Sequence, residues 1–149
     1  MTIRFVYFDL GNVLLQFSHP RMIEQMAAAA GAPIRLVEEV VFGGLADEYE
    51  RGDLTTEEFH ARFCAATNRE PDLAELERAC SDIFVPLEES IQLVNELCGQ
   101  VPLGLLSNTN HSHISFVQEH FPQALAPFNV LSLSHELRVM KPHPDIYKA

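Results

Sequence analysis

Ile3-Arg4-Phe5-Val6-Tyr7-Phe8, followed at once by Asp9-Leu10-Gly11-Asn12, is the stretch that decides the fold. The first six residues are apolar or aromatic except for Arg4. A short run of this kind, rich in β-formers and without clean alternation, predicts a strand covered on both faces. The tetrapeptide after it is turn-prone. An acid stands where a buried strand gives way to a turn, and in open parallel sheets ligands bind outside the carboxyl ends of the strands.

Working outward, the chain turns helical from about Ser18 to Phe84. Ser18 and Pro20 predict an N-cap with an early proline, and Gly31 predicts a stop. Ile34, Val37, Val40 and Val41 keep helical spacing, which Gly43-Gly44 should end. Thr55 with Glu58 predicts a capping box ahead of Phe59 and Phe63. Leu73, Leu76, Cys80 and Ile83 predict another amphipathic helix. No strand signal interrupts this stretch, so it reads as a small helical bundle. Beyond Pro86, Leu87, Ile91, Val94 and Leu97 share a helix face that Gly99 should close. Val101–Leu106 and Phe128–Leu133 predict two further strands, with a helix carrying Ile114, Val117 and Phe121 between them. Strands alternating with helices predict an α/β protein with a doubly wound parallel sheet, the bundle being inserted after its first strand.

The bulk numbers narrow the function. At 149 residues the chain fits one domain, or a small core plus an insertion. A formal charge of −11 with no basic cluster speaks against a nucleic-acid partner, because the phosphate backbone would repel it. No apolar run reaches the roughly 18–20 residues needed to span a bilayer, so no membrane role is expected. Cys64, Cys80 and Cys98 are an odd set without zinc or disulfide spacing and read as buried packing. The expected compartment is the cytoplasm.

Three polar groups converge on the carboxyl edge of this sheet: Asp9, Ser107 and Lys141. An acid, a hydroxyl and an ammonium at one edge suit phosphate. Lys141 would neutralise its charge, and Ser107, Asn108 and amides opening the next helix would hold its oxygens. Asp9 could attack phosphorus and carry an aspartyl-phosphate.

Phe8-Asp9-Leu10-Gly11-Asn12-Val13-Leu14, Leu105-Leu106-Ser107-Asn108-Thr109-Asn110 and Met140-Lys141-Pro142 resemble the first three motifs of the haloacid dehalogenase (HAD) superfamily. The wording is most similar to the bacterial α-D-glucose-1-phosphate phosphatase subgroup, including Glu50-Arg51-Gly52-Asp53-Leu54-Thr55-Thr56-Glu57-Glu58-Phe59. The resemblance implies a HAD-like, Rossmann-like core over residues 1–16 and 85–149, with a mobile helical cap over 17–84. It implies a hydrolase, specifically a phosphatase for a small phosphorylated metabolite, with sugar phosphates favoured. Asp9 and Lys141 would be catalytic, and Leu10, Gly11, Asn12, Ser107 and Asn108 would bind the phosphate. Asp9 and the Gly11 carbonyl would hold Mg²⁺. A dehalogenase, or a shortened homologue kept for binding, are the alternative readings.

Two departures from the superfamily pattern carry consequences. Gly11 stands where a second Asp usually acts as general acid and base. An anomeric leaving group, needing less help from an acid, would account for it. No fourth motif of paired acids follows Lys141 before Ala149. The core therefore reads as C-terminally incomplete, with weak metal binding and little or no turnover. Its open sheet edge would favour a homo-oligomer. His111, His113, His135 and His143 read as surface or capping residues. Glu48, Glu50 and Arg51 read as solvated.

Overall fold

The computed structural model describes residues 3–148; Met1, Thr2 and Ala149, which the sequence assigns to the core, lie outside the described residues. Three strands form a parallel sheet: β1 (Val6–Phe8), β4 (Leu103–Ser107) and β5 (Val130–Leu133), in the order β1-β4-β5. Val6 pairs with Leu103 and Phe8 with Leu105, while Leu105 pairs with Leu131 and Ser107 with Leu133. The fold is α/β, as the alternation of strands and helices predicts.

The crossovers run through α6 (Glu88–Leu97) between the first two sheet strands and α7 (His111–His120) between the next two. Both step the same way across the sheet, so right-handed connections put both helices on one face. Leu103, Leu105 and Leu133 point there and are buried with Ile91, Val94, Ile114 and Val117. The other face departs from the expectation for β1. Ile3, Phe5 and Tyr7 are 72%, 38% and 48% exposed, so this strand is covered on one side only. Gly104 makes room for the aromatic pair, since a β-carbon there would meet the Tyr7 ring at 2.4 Å.

Between β2 (Leu15–Phe17) and β3 (Phe84–Pro86) lie the helices α1 (His19–Ala30), α2 (Ile34–Val40), α3 (Ala46–Glu50), α4 (Thr56–Thr67) and α5 (Leu73–Ser81). Their caps follow the sequence. Ser18 Oγ accepts from Arg21 N, Gly31 ends α1 at φ 57°, and Thr55 and Glu58 form the capping box. The helical run breaks at Gly43-Gly44 as expected, because Gly44 is non-helical at φ 124° and ψ −16° and kinks the chain there. The kink lies within Val41–Leu45 and separates α2 from α3.

The antiparallel pair β2–β3 carries no period that a pattern could show, because each strand is only three residues long. It brings the two ends of the bundle side by side next to the sheet. Apolar side chains of the bundle, among them Met26, Phe63 and Leu76, join one continuous core with those under the sheet. The last described segments are a short α8 (Ser134–Leu137) and a 3₁₀ turn, Pro144–Tyr147. Among the described residues no helix is long and apolar enough to cross a membrane. Of the cysteines Cys80 is buried as expected, whereas Cys98 is exposed.

Candidate active site

Asp9 follows β1 directly, and the chain then turns back on itself. Leu10 O accepts from the amides of Val13, Leu14 and Leu15, and Asn12 N donates to Leu15 O at 2.8 Å. Asn12 takes φ 57°, a left-handed conformation that Asn tolerates better than most residues. The turn therefore consumes the Asn12 amide and leaves its exposed side chain outside. Leu10 is buried, and its amide donates to Asp9 Oδ1 at 2.8 Å, which fixes the carboxylate rather than leaving that N–H for a ligand.

The other carboxylate oxygen meets Lys141. Its Nζ lies 2.7 Å from Asp9 Oδ2 and donates to Leu106 O at 2.9 Å. One ammonium thus spans the ends of β1 and β4. Asn108 holds the lysine's backbone by both polar atoms: Oδ1 accepts from Lys141 N at 2.7 Å and Nδ2 donates to Lys141 O at 3.1 Å. The expected phosphate-binding amide is thus engaged within the protein, and Asn108 acts as a positioning residue. Spacing alone could not show this, because the partner is 33 positions along the chain.

Ser107, the last residue of β4, is 2% exposed, and its hydroxyl makes only a long 3.4 Å contact to Asn108 O. It is close to uncommitted, as a ligand-binding hydroxyl should be. Asn110 caps α7 by accepting from His113 N at 3.0 Å. The structure therefore brings Asp9, Ser107, Asn108 and Lys141 together at the carboxyl edge.

Gly11 explains itself through Phe17. A β-carbon at Gly11 would stand 2.7 Å from Phe17 Cε1, so the ring occupies the space a longer residue would need. Phe17 is held in turn by Phe84 and His19, at centroid distances of 6.4 and 4.9 Å.

The bundle presses on this edge. Ser134 Oγ accepts from Thr109 N at 2.9 Å and lies 2.6 Å from the carbonyl of Glu50, tying the loop after β4 to the end of α3. Gly52, at φ 76°, packs so tightly that a β-carbon would fall 2.0 Å from His135 O. A relay of hydroxyls adds to the contact. Tyr49 Oη lies 2.8 Å from Thr56 Oγ1 and 2.6 Å from Ser112 Oγ, which donates to Glu77 Oε1. Because the carboxylate only accepts, Tyr49 must donate to Ser112 and accept from Thr56.

Between bundle and sheet lies a small cavity of about 50 Å³, bordered by Gly11, Ser107 and Asn108 on one side and by His19, Glu50 and His113 on the other. A second, of about 140 Å³, shares those last three residues and continues between Phe42 and Phe59. The sequence reads Glu50 as solvated and His113 as a surface or capping residue; both face these cavities. Burial pushes the Glu50 carboxyl up to about 7, with Asp47 adding to the effect. Burial pulls His113 down to about 4. Its Nε2 donates to Cys80 O at 3.2 Å and its Nδ1 accepts from Asn110 Nδ2 at 3.2 Å, which fixes one neutral tautomer. No periodicity marks these three residues, since they come from three separate helices.

Among the described residues no group of three or more His, Cys, Asp or Glu side chains could hold a metal ion. The donors at the edge are the Asp9 carboxylate and nearby carbonyls. That is a sufficient set only for Mg²⁺ that keeps most of its water and shares a substrate phosphate.

No family model matches the chain. Solved structures do. A HAD family enzyme from Bacteroides thetaiotaomicron, BT-2542, superposes with a TM-score of 0.87 at 25% identity, over 99% of this chain and 76% of that one. The chain has the haloacid dehalogenase fold. The same HAD enzyme solved with magnesium and inorganic phosphate superposes with a TM-score of 0.86 at 25% identity, with the same coverage. A Porphyromonas gingivalis protein described as a predicted HAD-like family hydrolase gives 0.81 at 25% identity, over 98% of this chain and 73% of that one. The L-2-haloacid dehalogenase of Xanthobacter autotrophicus, at 19% identity and a TM-score of 0.62, shares the fold alone, over 99% of this chain and 63% of that one.

Proposed function

We propose that the chain is a HAD superfamily phosphatase that hydrolyses a small phosphorylated metabolite, a sugar phosphate being favoured, through an aspartyl-phosphate on Asp9. The observation that carries this reading is the 2.7 Å pair of Asp9 and Lys141 beside the nearly uncommitted hydroxyl of Ser107. It is supported by the phosphate and magnesium bound to the Bacteroides enzyme.

In this reading one Asp9 oxygen attacks phosphorus as the bond to the ester oxygen breaks. Water then attacks the same phosphorus and returns the Asp9 carboxylate. Lys141 offsets the charge on the phosphoryl oxygens, and the Ser107 hydroxyl donates to them. Asp9 and the Gly11 carbonyl would hold Mg²⁺, which supplies further charge neutralisation when bound. The helices from α1 to α5 serve as the cap that excludes water and selects the leaving group.

The test is a single-turnover assay of the full chain with Mg²⁺ and either p-nitrophenyl phosphate or glucose 1-phosphate. Release of phosphate, with a phosphoryl adduct trapped on Asp9 and lost in Asp9→Asn, is the expected result. Turnover of 2-chloropropionate with neither phosphate ester cleaved would replace this reading by a dehalogenase.

A further inference from the structure

The HAD first motif normally supplies its own proton donor two residues after the nucleophile. Here that position is Gly11, with Phe17 in the space a side chain would take. A donor has to come from elsewhere if an ordinary alkoxide is to leave.

We propose that Glu50, reaching from the end of α3 into the cavity beside Gly11 and Ser107, is the general acid and base of the reaction. The inference rests on the phosphatase reading above. Glu50 borders both cavities, the one that touches the phosphate motifs and the one that runs into the bundle. It therefore links the cavity at Gly11, Ser107 and Asn108 to the one that runs into the bundle. Its backbone is fixed there by Ser134, which also binds Thr109 two residues past Ser107. Its carboxylate has no hydrogen bond or ion pair among the described residues, so it is free to meet a ligand.

The other titratable groups facing it do not compete. His113, from α7, spends Nε2–H on Cys80 O and Nδ1 on Asn110, so it has no proton to give to the cavity. His19, from α1, is held below its ordinary value by burial. Cys80, from α5, is pushed up to about 12 by burial and by Glu50 and Glu77, and stays a thiol. Asp47 shares α3 with Glu50 and favours its protonated form. A carboxyl poised near 7 is suited to giving a proton and taking it back.

The steps balance. As Asp9 attacks, the ester P–O bond breaks and Glu50 passes its proton to the departing oxygen, leaving an alcohol and a Glu50 carboxylate. That carboxylate then takes one proton from the water attacking the aspartyl-phosphate. Phosphate leaves, Asp9 is free, and Glu50 is again protonated.

The experiment compares single-turnover rates of ester cleavage, read as release of the alcohol or phenol and not of phosphate, for the full chain and for Glu50→Gln on a series from p-nitrophenyl phosphate, whose phenolate needs no proton, to glycerol 2-phosphate. General-acid loss should slow the glycerol ester about 100-fold and the nitrophenyl ester no more than about 5-fold. The fall in rate above neutral pH should vanish with the same variant. Glu50→Asp, which keeps a carboxyl, should recover part of the alkyl rate and guards against a folding defect in Glu50→Gln. Equal slowing of both esters, or no slowing of either, overturns the assignment of Glu50 while leaving the phosphatase reading intact. A wild-type chain that cleaves no phosphate ester overturns both.

Discussion

The Phe17 ring stands where a side chain on Gly11 would have to go, 2.7 Å from the β-carbon that Gly11 lacks. The missing acid of the first motif and the short strand β2 are thus one feature, since Phe17 is the last residue of that strand. Gly11→Asp should destabilise the protein by about 1–3 kcal/mol, the usual penalty for overpacking. It should give no gain on alkyl phosphates. Gly11→Asp with Phe17→Ala reopens the space, so the double variant should recover activity toward alkyl phosphates that the single one lacks. Urea unfolding and phosphate release on both variants check this.

Asn108 is the second case of a residue acting through another. Asn108→Ala removes both hydrogen bonds to the Lys141 backbone and frees the lysine to leave Asp9. The expected result is a fall of ten- to a hundredfold in single-turnover rate with little change in substrate affinity. Stability should drop by about 1–3 kcal/mol, since polar backbone groups lose their partners. Asn108→Asp keeps the acceptor for Lys141 N and should retain more activity than Ala. A change in affinity alone would instead favour direct phosphate contact by the side chain.

The sheet was legible because each of its strands is an apolar run, two of them leading directly into a motif, and the caps at Ser18, Gly31 and Thr55 follow local rules. The groups that line the cavities were not. His19, Glu50 and His113 sit in ordinary helical sequence and meet only because β2 and β3 pair and Ser134 ties α3 to the loop after β4. The exposed face of β1 was hidden for a similar reason. An apolar run of six reads alike whether one face or two are covered, and only Gly104 and its neighbours tell them apart.

Gly52 marks where bundle and sheet come closest. Any side chain there meets His135 O at 2.0 Å and also needs a φ of 76°, so two penalties fall on one residue. Gly52→Ala should push the end of α3 away from α8 and lengthen the Ser134–Glu50 contact. Hydrogen exchange at Thr109 N, which Ser134 now protects, should speed up in the variant, and the melting temperature should fall. Unchanged exchange at Thr109 would show that the two parts are not coupled through this contact.

Phe5 and Tyr7 lie against each other at 4.7 Å over Gly104, on an edge strand with an open face. Such a surface favours self-association. Sedimentation should show the wild-type chain forming dimers or larger species at high concentration. Phe5→Lys with Tyr7→Lys should shift it toward monomer. A monodisperse wild-type monomer would show that this face is tolerated as it stands.

Glu50 and His113 should give stability a pH dependence in which two opposite slopes overlap. The Glu50 carboxyl titrates near 7 when folded and near its ordinary 4.5 when unfolded. Between those values the folded state holds more protons, so this contribution is complete below 4.5 and is lost as pH rises to about 7. His113 titrates near 4 when folded and near 6.5 when unfolded. Over that range the unfolded state holds more protons, so its contribution is present above 6.5 and is lost as pH falls to about 4. From about 4.5 to 6.5 the two largely cancel, and wild-type stability should change little. Glu50→Gln removes the first slope, so its stability relative to wild type should climb with pH from about 4.5 and level off above 7. His113→Asn removes the second, so its stability should fall steadily from about 4.5 to 7. Urea midpoints at half-unit steps of pH resolve the two, and parallel curves for wild type and Glu50→Gln would mean that Glu50 titrates like an exposed carboxylate.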